Sequence, residues 1–234
     1  SLPRHRLHKA RAGRAFPAHA ALDAMTAAAP PATRRLALLL AGLSMFGPFS
    51  IDTIFPAFPL LARELAVDEV AVQQTISVYL LFYGLMSVAH GPLSDALGRK
   101  RVIVAGLVLF AIASVGCALA PDLPTLLLFR ALQGISAGVG MIVGRAVIRD
   151  LYHGADAQRL MSQVSMIFGI APAIAPIIGG WILLGGGDWP LIFWFLVGFA
   201  LLLLAATARW LPETHAPAAR TPLSPRRLLR DYLR

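Results

Sequence analysis

Six long runs of apolar residues, separated by short polar segments, dominate this sequence. They cover residues 36–60, 70–90, 102–120, 125–148, 160–184 and 191–211. Each run is close to the ~20 residues that a helix needs to cross ~30 Å of hydrocarbon. The runs are continuous, whereas the strands of a membrane barrel alternate in polarity over about 10 residues. Because backbone groups in lipid must be hydrogen-bonded internally, the pattern predicts an all-α membrane protein with six transmembrane helices.

Two polar segments flank the six runs and set the predicted domain boundaries. Residues 1–35 are rich in Ala, Pro and Arg and poor in acidic residues, so we expect a disordered basic cytoplasmic tail. An organellar targeting peptide has similar chemistry and stays an alternative. Residues 36–211 form the predicted transmembrane bundle, and residues 212–234 form a basic amphipathic segment.

The composition supports lipid rather than water as the solvent of the bundle. Apolar residues make up 57% of the chain and charged residues 14%, against about 25% charged residues in a usual globular protein. The net charge of +9 comes from residues at the ends of the apolar runs rather than on one helix face, which argues against nucleic acid as a partner. Cys117, the one cysteine, lies inside an apolar run, so we expect no disulfide, metal or cofactor site.

The basic residues between the runs lie almost entirely on one side of the predicted membrane. That side collects the amino-terminal tail, residues 99–101, Arg145, Arg149, Arg159, Arg209 and residues 220–234. The opposite side carries Arg63 among the acids Glu64, Asp68, Glu69, Asp122 and Asp188. Because Lys and Arg concentrate in cytoplasmic loops, both termini are expected to be cytoplasmic.

Two charged residues lie inside predicted spans. Asp52 is roughly 24 Å along the first helix, and Arg130 is roughly 9 Å into the fourth, which starts from the other side. Both therefore fall in the outer half of the bilayer, where each charge costs about 2.5–3.5 kcal/mol on the mildest scale. One interpretation makes Asp52 a protonatable carboxylate whose pKa responds to Arg130. The alternatives are a static Asp–Arg pair, or an aspartate in the watery lip of the first helix.

Glycine and proline residues mark the fourth and fifth runs. In the fourth, Gln133 lies near Arg130, and Gly134 and Gly138 have the spacing that allows two helix backbones to approach closely. In the fifth, three residues recur at intervals of four and share one helix face. These are Pro172, Pro176 and Gly180, in a segment that also contains Gly169 and Gly179. We expect this helix to bend and to pack tightly on a neighbour.

The loop between the second and third runs carries the most specific motif. It resembles the signature G-x-L-x-D-r-x-G-r-k of the major facilitator superfamily, matched by Gly91, Leu93, Asp95, Gly98, Arg99 and Lys100. Ala96 stands where the family has a basic residue. The segment from Arg130 to Gly134 resembles R-x-x-q-G of the proton-coupled members. The segment from Gly169 to Gly180 resembles the antiporter motif of helix 5, with Ala175 in place of the Gly before Pro. The doubled Ala-Pro and residues 51–59 are similar to the Bcr/CflA drug-resistance group.

The resemblance implies the amino-terminal six-helix bundle of an alternating-access transporter in the bacterial inner membrane. The whole transporter would export drug-like small molecules in exchange for protons. Asp52 would bind a proton or a cationic substrate, and Arg130 and Gln133 would line the same cavity. Asp95 and Arg99 would hold helix ends together on the cytoplasmic face, with Asp150 as a partner of Arg99. Residues 212–234 would be the linker that precedes a seventh helix.

The length of the chain leaves other functions open. The family has twelve helices in two halves with the substrate path between them. A carboxy-terminal half or a second copy of the chain would therefore be needed as partner. A proton-driven nutrient permease of the same fold stays an alternative, and so does a non-transporting half-protein or membrane scaffold. An intramembrane enzyme is disfavoured because HExxH and GxSxG motifs are missing from the sequence.

Overall fold

The computed structural model describes residues 31–215, with side chains from residue 34 onward. Its helices are α1 (Pro31–Asp52), α2 (Phe58–Glu64), α3 (Glu69–Leu97), α4 (Arg99–Ala118), α5 (Leu123–Leu151), α6 (Gly154–Leu184) and α7 (Pro190–Trp210). A 3₁₀ turn, Phe55–Ala57, joins α1 to α2. Six spans are long and apolar enough to cross a membrane, with α1 and α2 together forming the first and α3–α7 the other five. The prediction of six transmembrane helices is confirmed. Most of the predicted tail and most of the predicted linker lie outside the described residues, although residues 31–35 of the predicted tail belong to α1.

The first span differs from the single helix expected over residues 36–60. Helix α1 ends at Asp52 because Pro56 has no N–H to donate to the Asp52 carbonyl. The ring of Pro56 also disfavours the α conformation at Phe55. The chain therefore passes through the 3₁₀ turn before α2 begins at Phe58.

Aspartate side chains cap the starts of α3 and α5. The Asp68 carboxylate accepts a hydrogen bond from the Ala71 N–H at 2.7 Å and begins α3. The Asp122 carboxylate accepts one from the Thr125 N–H at 2.8 Å and begins α5. Hydrogen bonds from the Thr125 hydroxyl and backbone hold the pKa of the Asp122 carboxyl below its usual range. Both residues satisfy N–H groups that a helix start leaves free.

Helix α5 lies at the centre of the bundle, and its packing positions the site. Its buried residues include apolar, small and polar side chains on several faces, whereas α6 buries one narrow stripe. Helices α3 and α4 pack on α5, and α4 also packs on α7. Helix α1 joins them through aromatic contacts, with the rings of Phe46 and Phe110 4.0 Å apart and those of Phe49 and Phe199 5.3 Å apart.

The two ends of the bundle are closed by different contacts. At one end, the Trp189 indole donates a 2.7 Å hydrogen bond to Glu64, which links the end of α2 to the start of α7. At the other end, Arg99 of α4 contacts Asp150 of α5 at 3.1 Å. There Lys100 also donates to the Ala208 carbonyl of α7 at 2.9 Å. The acidic and the basic loop residues of the sequence thus lie at opposite ends.

Candidate functional site

Arg130 is the largest fully buried side chain in the described part of the chain. Its Nε donates to the Thr75 carbonyl of α3 at 3.2 Å, and its Nη1 donates to the Ser50 carbonyl of α1 at 3.0 Å. Nη1 also donates to Gln133 Oε1, one helix turn further along α5, at 2.9 Å. The guanidinium carbon lies 4.5 Å from the centre of the Tyr79 ring. One cation thus holds α1 and α3 against α5.

Gln133 extends this polar cluster to α4. Its Nε2 donates to Ser114 Oγ at 2.7 Å, and its Oε1 accepts from Cys117 Sγ at 3.5 Å in addition to Arg130. We call these residues the Arg130 cluster: Ser50, Thr75, Tyr79, Ser114, Cys117, Arg130 and Gln133. The cluster joins four helices in the middle of an otherwise apolar core.

The end of α1 explains why a backbone carbonyl is free to accept from Arg130. Ser50 lies within the last four residues of α1, whose carbonyl groups have no partner inside the helix. These carbonyls also form the negative end of the helix dipole, which favours a nearby cation. The proline that ends α1 therefore creates the acceptor that solvates Arg130.

The charge of Arg130 is not neutralised by an acid within the described residues. Its solvation comes from two carbonyls, an amide, the Ser50 hydroxyl and an aromatic face. Its Nη2 is buried without a hydrogen-bond partner. A buried charge without a counter-ion is costly, and such groups are typical of functional sites. The cluster is therefore the first candidate for a site that responds to charge.

Asp52 does not pair with Arg130 in this structure. It is the last residue of α1 and is partly exposed, whereas Arg130 is enclosed by the bundle. The static Asp–Arg ion pair considered from the sequence is therefore not observed among the described residues. The guanidinium instead donates to the Ser50 carbonyl near the end of α1 and to the Thr75 carbonyl inside α3. The two charges are connected through α1, where Ser50 lies two residues before Asp52.

A second polar cluster lies at the Arg99 end of the bundle. Arg99 is nearly buried and forms ion pairs with Asp95 at 2.5 Å and with Asp150 at 3.1 Å. Its Nη1 also donates to Ser94 Oγ, and its backbone N–H donates to Glu213 at 2.9 Å. The expected contact between Arg99 and Asp150 is present. This cluster joins the adjoining ends of α3, α4 and α5 and the segment after α7.

Gly98 makes the tight connection between α3 and α4 possible. Its backbone angles, φ of 104° and ψ of 145°, belong to a region that residues with a side chain rarely adopt. Its N–H donates a hydrogen bond to the Ser94 carbonyl at 3.0 Å. Only Gly98 therefore separates the end of α3 from the start of α4, and the Arg99 side chain can turn toward Asp95. Gly91 has no such role in the described chain, since a Cβ there would meet no atom within 4 Å.

Within the described residues, helix α6 packs on the face next to the one that carries Pro172, Pro176 and Gly180. Its buried residues are Leu160, Val164, Ala171, Ala175 and Gly179, whereas Pro172 is exposed and Pro176 and Gly180 are partly exposed. A Cβ at Gly179 would collide with the Thr53 carbonyl, so α6 touches the break in the first span at this position. A Cβ at Gly169 or Gly180 would meet no described atom. The buried residues Ala171, Ala175 and Gly179 each lie one position before Pro172, Pro176 and Gly180, and their small size allows close packing.

Sequence reasoning identified Arg130 and Gln133 but missed most of their partners. Ser50, Thr75 and Ser114 are small hydroxyl residues inside apolar runs, where local bonding to the same helix is common. Tyr79 lies four residues after Thr75, on the same face of α3, which was a usable signal. The Ser50 and Thr75 carbonyls carry no signal, because every residue has one.

The chain is similar to curated bacterial proteins, two of which are named for drug resistance. It is 38% identical over 200 residues to "Uncharacterized MFS-type transporter YdgK" of Bacillus subtilis, a match that covers 83% of this chain and 49% of the relative. It is 35% identical to "Multidrug resistance protein D" of Escherichia coli, over 84% of this chain and 49% of that one. It is 30% identical to "Bicyclomycin resistance protein homolog" of Haemophilus influenzae, with the same coverage of both chains. The chain thus spans about half the length of these curated relatives.

Solved structures share the fold of the bundle. The human organic anion transporter MFSD10 matches with a TM-score of 0.69 and 20% identity, over 86% of this chain and 53% of that one. The proton:xylose symporter XylE matches with a TM-score of 0.68 and 17% identity, over 77% and 45%. The model of the Major Facilitator Superfamily matches residues 37–232. This chain, with its six spans and its motifs between α3 and α4 and along α5, belongs to the Major Facilitator Superfamily.

Proposed function

We propose that this bundle is the amino-terminal half of a transporter that exports drug-like small molecules in exchange for protons. Relatives of similar sequence carry the names of multidrug and bicyclomycin resistance proteins, which supports a substrate of that class. The family consists of transporters of small molecules, so the proposal contains no enzymatic activity or cofactor. A nutrient permease of the same fold is the competing function.

The observation that carries this proposal is the uncompensated cation beside a partly exposed carboxylate on the same helix end. Arg130 is held by Ser50, and Asp52 lies two residues further along α1. In the proposal, Asp52 binds either a proton or a cationic substrate. Protonation of Asp52 removes a negative charge near the end of α1, the same helix end to which Arg130 donates hydrogen bonds. The loss of this charge weakens the attraction between α1 and α5. Arg130 and Gln133 act as positioning residues that transmit the change.

Replacing Asp52 tests the coupling step directly. In cells that express the complete protein, Asp52→Asn is expected to abolish drug efflux driven by the proton gradient while the protein still reaches the membrane. Asp68→Asn is the matched control, because asparagine also begins helices well and the site is exposed. Efflux by Asp52→Asn at the wild-type rate, with the same dependence on pH, would contradict the role of Asp52.

The direction of proton movement separates efflux from uptake. In everted membrane vesicles with an acidic interior, export is expected to carry protons out as the drug moves in. A pH-sensitive dye inside the vesicles should then report alkalinisation when the drug is added. Movement of protons and substrate in the same direction would favour the permease instead.

We propose that the contacts of Arg99 hold the cytoplasmic ends of the helices together in the outward-open state. Arg99 bonds to residues at the ends of α3 and α5, so these three helix ends move as a unit while the ion pairs persist. Gly98 permits the turn, and Lys100 adds the bond to α7. The packing of Gly179 on the break after α1 gives α6 a way to follow α1 during the transition.

The proposal requires a second six-helix bundle to complete the substrate path. Helices α3 and α6 present large exposed side chains, among them Leu81, Leu85, Ile170 and Trp181, to which a second bundle or lipid would bind. The intact mass of the protein from its native membrane distinguishes the sources of that bundle. A mass about twice that of the 234-residue chain indicates one polypeptide with both halves. A mass equal to that of the chain indicates a second copy or another protein.

A further inference from the structure

A groove on the side of the bundle lies apart from the Arg130 cluster. It lies between α3, α4 and α5 and has a volume of about 340 Å³. We call it the lateral groove; apolar residues such as Met86, Leu97, Ala105, Leu109 and Val139 provide most of its lining. Leu97 and Ala105 are exposed, so the groove is open toward the surroundings of the bundle. In a membrane those surroundings are lipid chains.

One cation, Arg101, lies at the end of the lateral groove and has no partner in the part of the chain that the structure describes. The three consecutive basic residues that begin α4 have different surroundings. Arg99 pairs with two aspartates, and Lys100 bonds to the Ala208 carbonyl. Arg101 lines the groove and is exposed, and within the described residues it forms no hydrogen bond or ion pair. The lining contains no acidic residue that could neutralise it.

The position of Arg101 along α4 matches the depth of a lipid headgroup. Arg101 is the third residue of α4, where the span begins, and Leu109 lies eight residues deeper. At 1.5 Å per residue, the groove extends about 12 Å from Arg101 along the helix. A guanidinium at the membrane surface followed by an apolar slot is complementary to a phosphate followed by an acyl chain.

We propose that the lateral groove binds one anionic phospholipid, with its phosphate on Arg101 and an acyl chain along Gly106 and Val139. The guanidinium can donate two parallel hydrogen bonds to phosphate oxygens. A zwitterionic lipid brings an ammonium group next to three consecutive basic residues, which repel it. The groove thus selects lipid by net charge. This binding does not depend on transport, so it stands or fails separately from the proposed efflux.

Native mass spectrometry of the full chain tests the proposal. The protein is released from nanodiscs that contain equal amounts of phosphatidylglycerol and phosphatidylcholine with identical acyl chains. Wild-type protein is expected to retain phosphatidylglycerol preferentially. Arg101→Gln is expected to lower that preference about fivefold, since one basic residue near a membrane contributes about 1 kcal/mol toward anionic lipid. Arg209→Gln, at an exposed arginine in the last turn of α7, is the matched control and is expected to leave the preference unchanged.

A second variant tests the apolar part of the groove. Ala105→Trp fills the groove from an exposed position and is expected to reduce retention of both lipids, with Arg101 still present. Thermal unfolding of each variant shows whether the bundle remains folded. Equal retention of the two lipids by the wild type would overturn the proposal. The proposal would also be overturned if Arg101→Gln kept the wild-type preference and Ala105→Trp retained as much lipid as the wild type. Those two results together are expected when lipid surrounds the whole bundle and no specific binding site exists.

Discussion

At the scale of single residues, Arg130 illustrates how a membrane bundle solvates a cation without an acid. A guanidinium has five N–H donors, and four helices supply acceptors for it or for its neighbour Gln133. Backbone carbonyls are strong acceptors that add no charge, so the site keeps a net positive charge. In the proposed mechanism, this positive charge makes the packing of α1 on α5 sensitive to the protonation of the nearby Asp52.

Loss of Gln133 is expected to destabilise the bundle through Arg130. Gln133→Leu removes the Oε1 acceptor at 2.9 Å and the donor to Ser114, leaving buried polar groups unsatisfied. The cost is about 1–3 kcal/mol in the free energy of unfolding, measured by denaturation in mixed detergent. Gln74→Leu, at an exposed position of α3, is the control and should change stability by less than about 0.5 kcal/mol. Equal effects of the two variants would show that the Gln133 contacts do not contribute.

The Arg99 cluster shows how one glycine determines what its neighbours can do. Asp95 and Arg99 are four residues apart, as in a helical pair, although the helix is interrupted between them. The conformation of Gly98 allows α3 to end at Leu97 and α4 to begin at Arg99, with a single residue between the two helices. The motif in the sequence therefore encodes a turn and an ion pair together.

At the scale of helices, prolines determine where the first span breaks and so where α6 packs. Helix α1 ends at Asp52, and the carbonyl of Thr53 then lies against Gly179 of α6. Only a residue without Cβ leaves room for that carbonyl. The break and the glycine are complementary parts of one contact between the first and fifth spans.

Two adjacent glycines of α6 provide a matched test of this contact. Gly179→Ala places a methyl group against the Thr53 carbonyl and is expected to cost about 1–3 kcal/mol of stability as an overpacked site. Gly180→Ala meets no described atom and favours the helix, so it should be neutral or slightly stabilising. Thermal unfolding of the purified chain measures both. A similar loss for the two variants would contradict the packing face that the structure assigns to α6.

At the scale of the whole molecule, the bundle is unevenly covered. In the most apolar stretch of each helix, 11% of the α3 residues and 17% of the α6 residues are buried, against 56% for α5. Most of the apolar surface of α5 is therefore covered by the other helices of the bundle, whereas α3 and α6 leave apolar faces for lipid or for a second bundle. This distribution is consistent with one half of a larger transporter.

Accessibility from outside the cell tests the orientation of the whole bundle. Asp188 and His153 are exposed residues at opposite ends, beside the starts of α7 and α6. We predict that a membrane-impermeant maleimide labels Asp188→Cys in intact cells and labels His153→Cys only after the membrane is opened. The native Cys117 is buried and should contribute no background. The reverse labelling pattern would place the basic end outside and contradict the positive-inside assignment.

The sequence by itself determined the six spans and the motif between the second and third. Length and continuous hydrophobicity suffice for the spans, because lipid permits only internally bonded helices. The Asp95–Gly98–Arg99 spacing was readable because all its members lie within five residues, where backbone geometry is local. The charges of Asp52 and Arg130 were also visible, because charges are rare in apolar runs.

Only the tertiary structure decided what these residues touch. The partners of Arg130 are mostly backbone carbonyls, which have no signature in a sequence, and the guanidinium therefore binds α1 and α3 instead of pairing with Asp52. The sequence of α6 has small residues on two adjacent faces, and only the structure shows that Ala171, Ala175 and Gly179 are the ones buried in this bundle. Contacts between helices depend on how each helix is rotated about its axis and on the break after Asp52, which periodicity along a single helix does not contain.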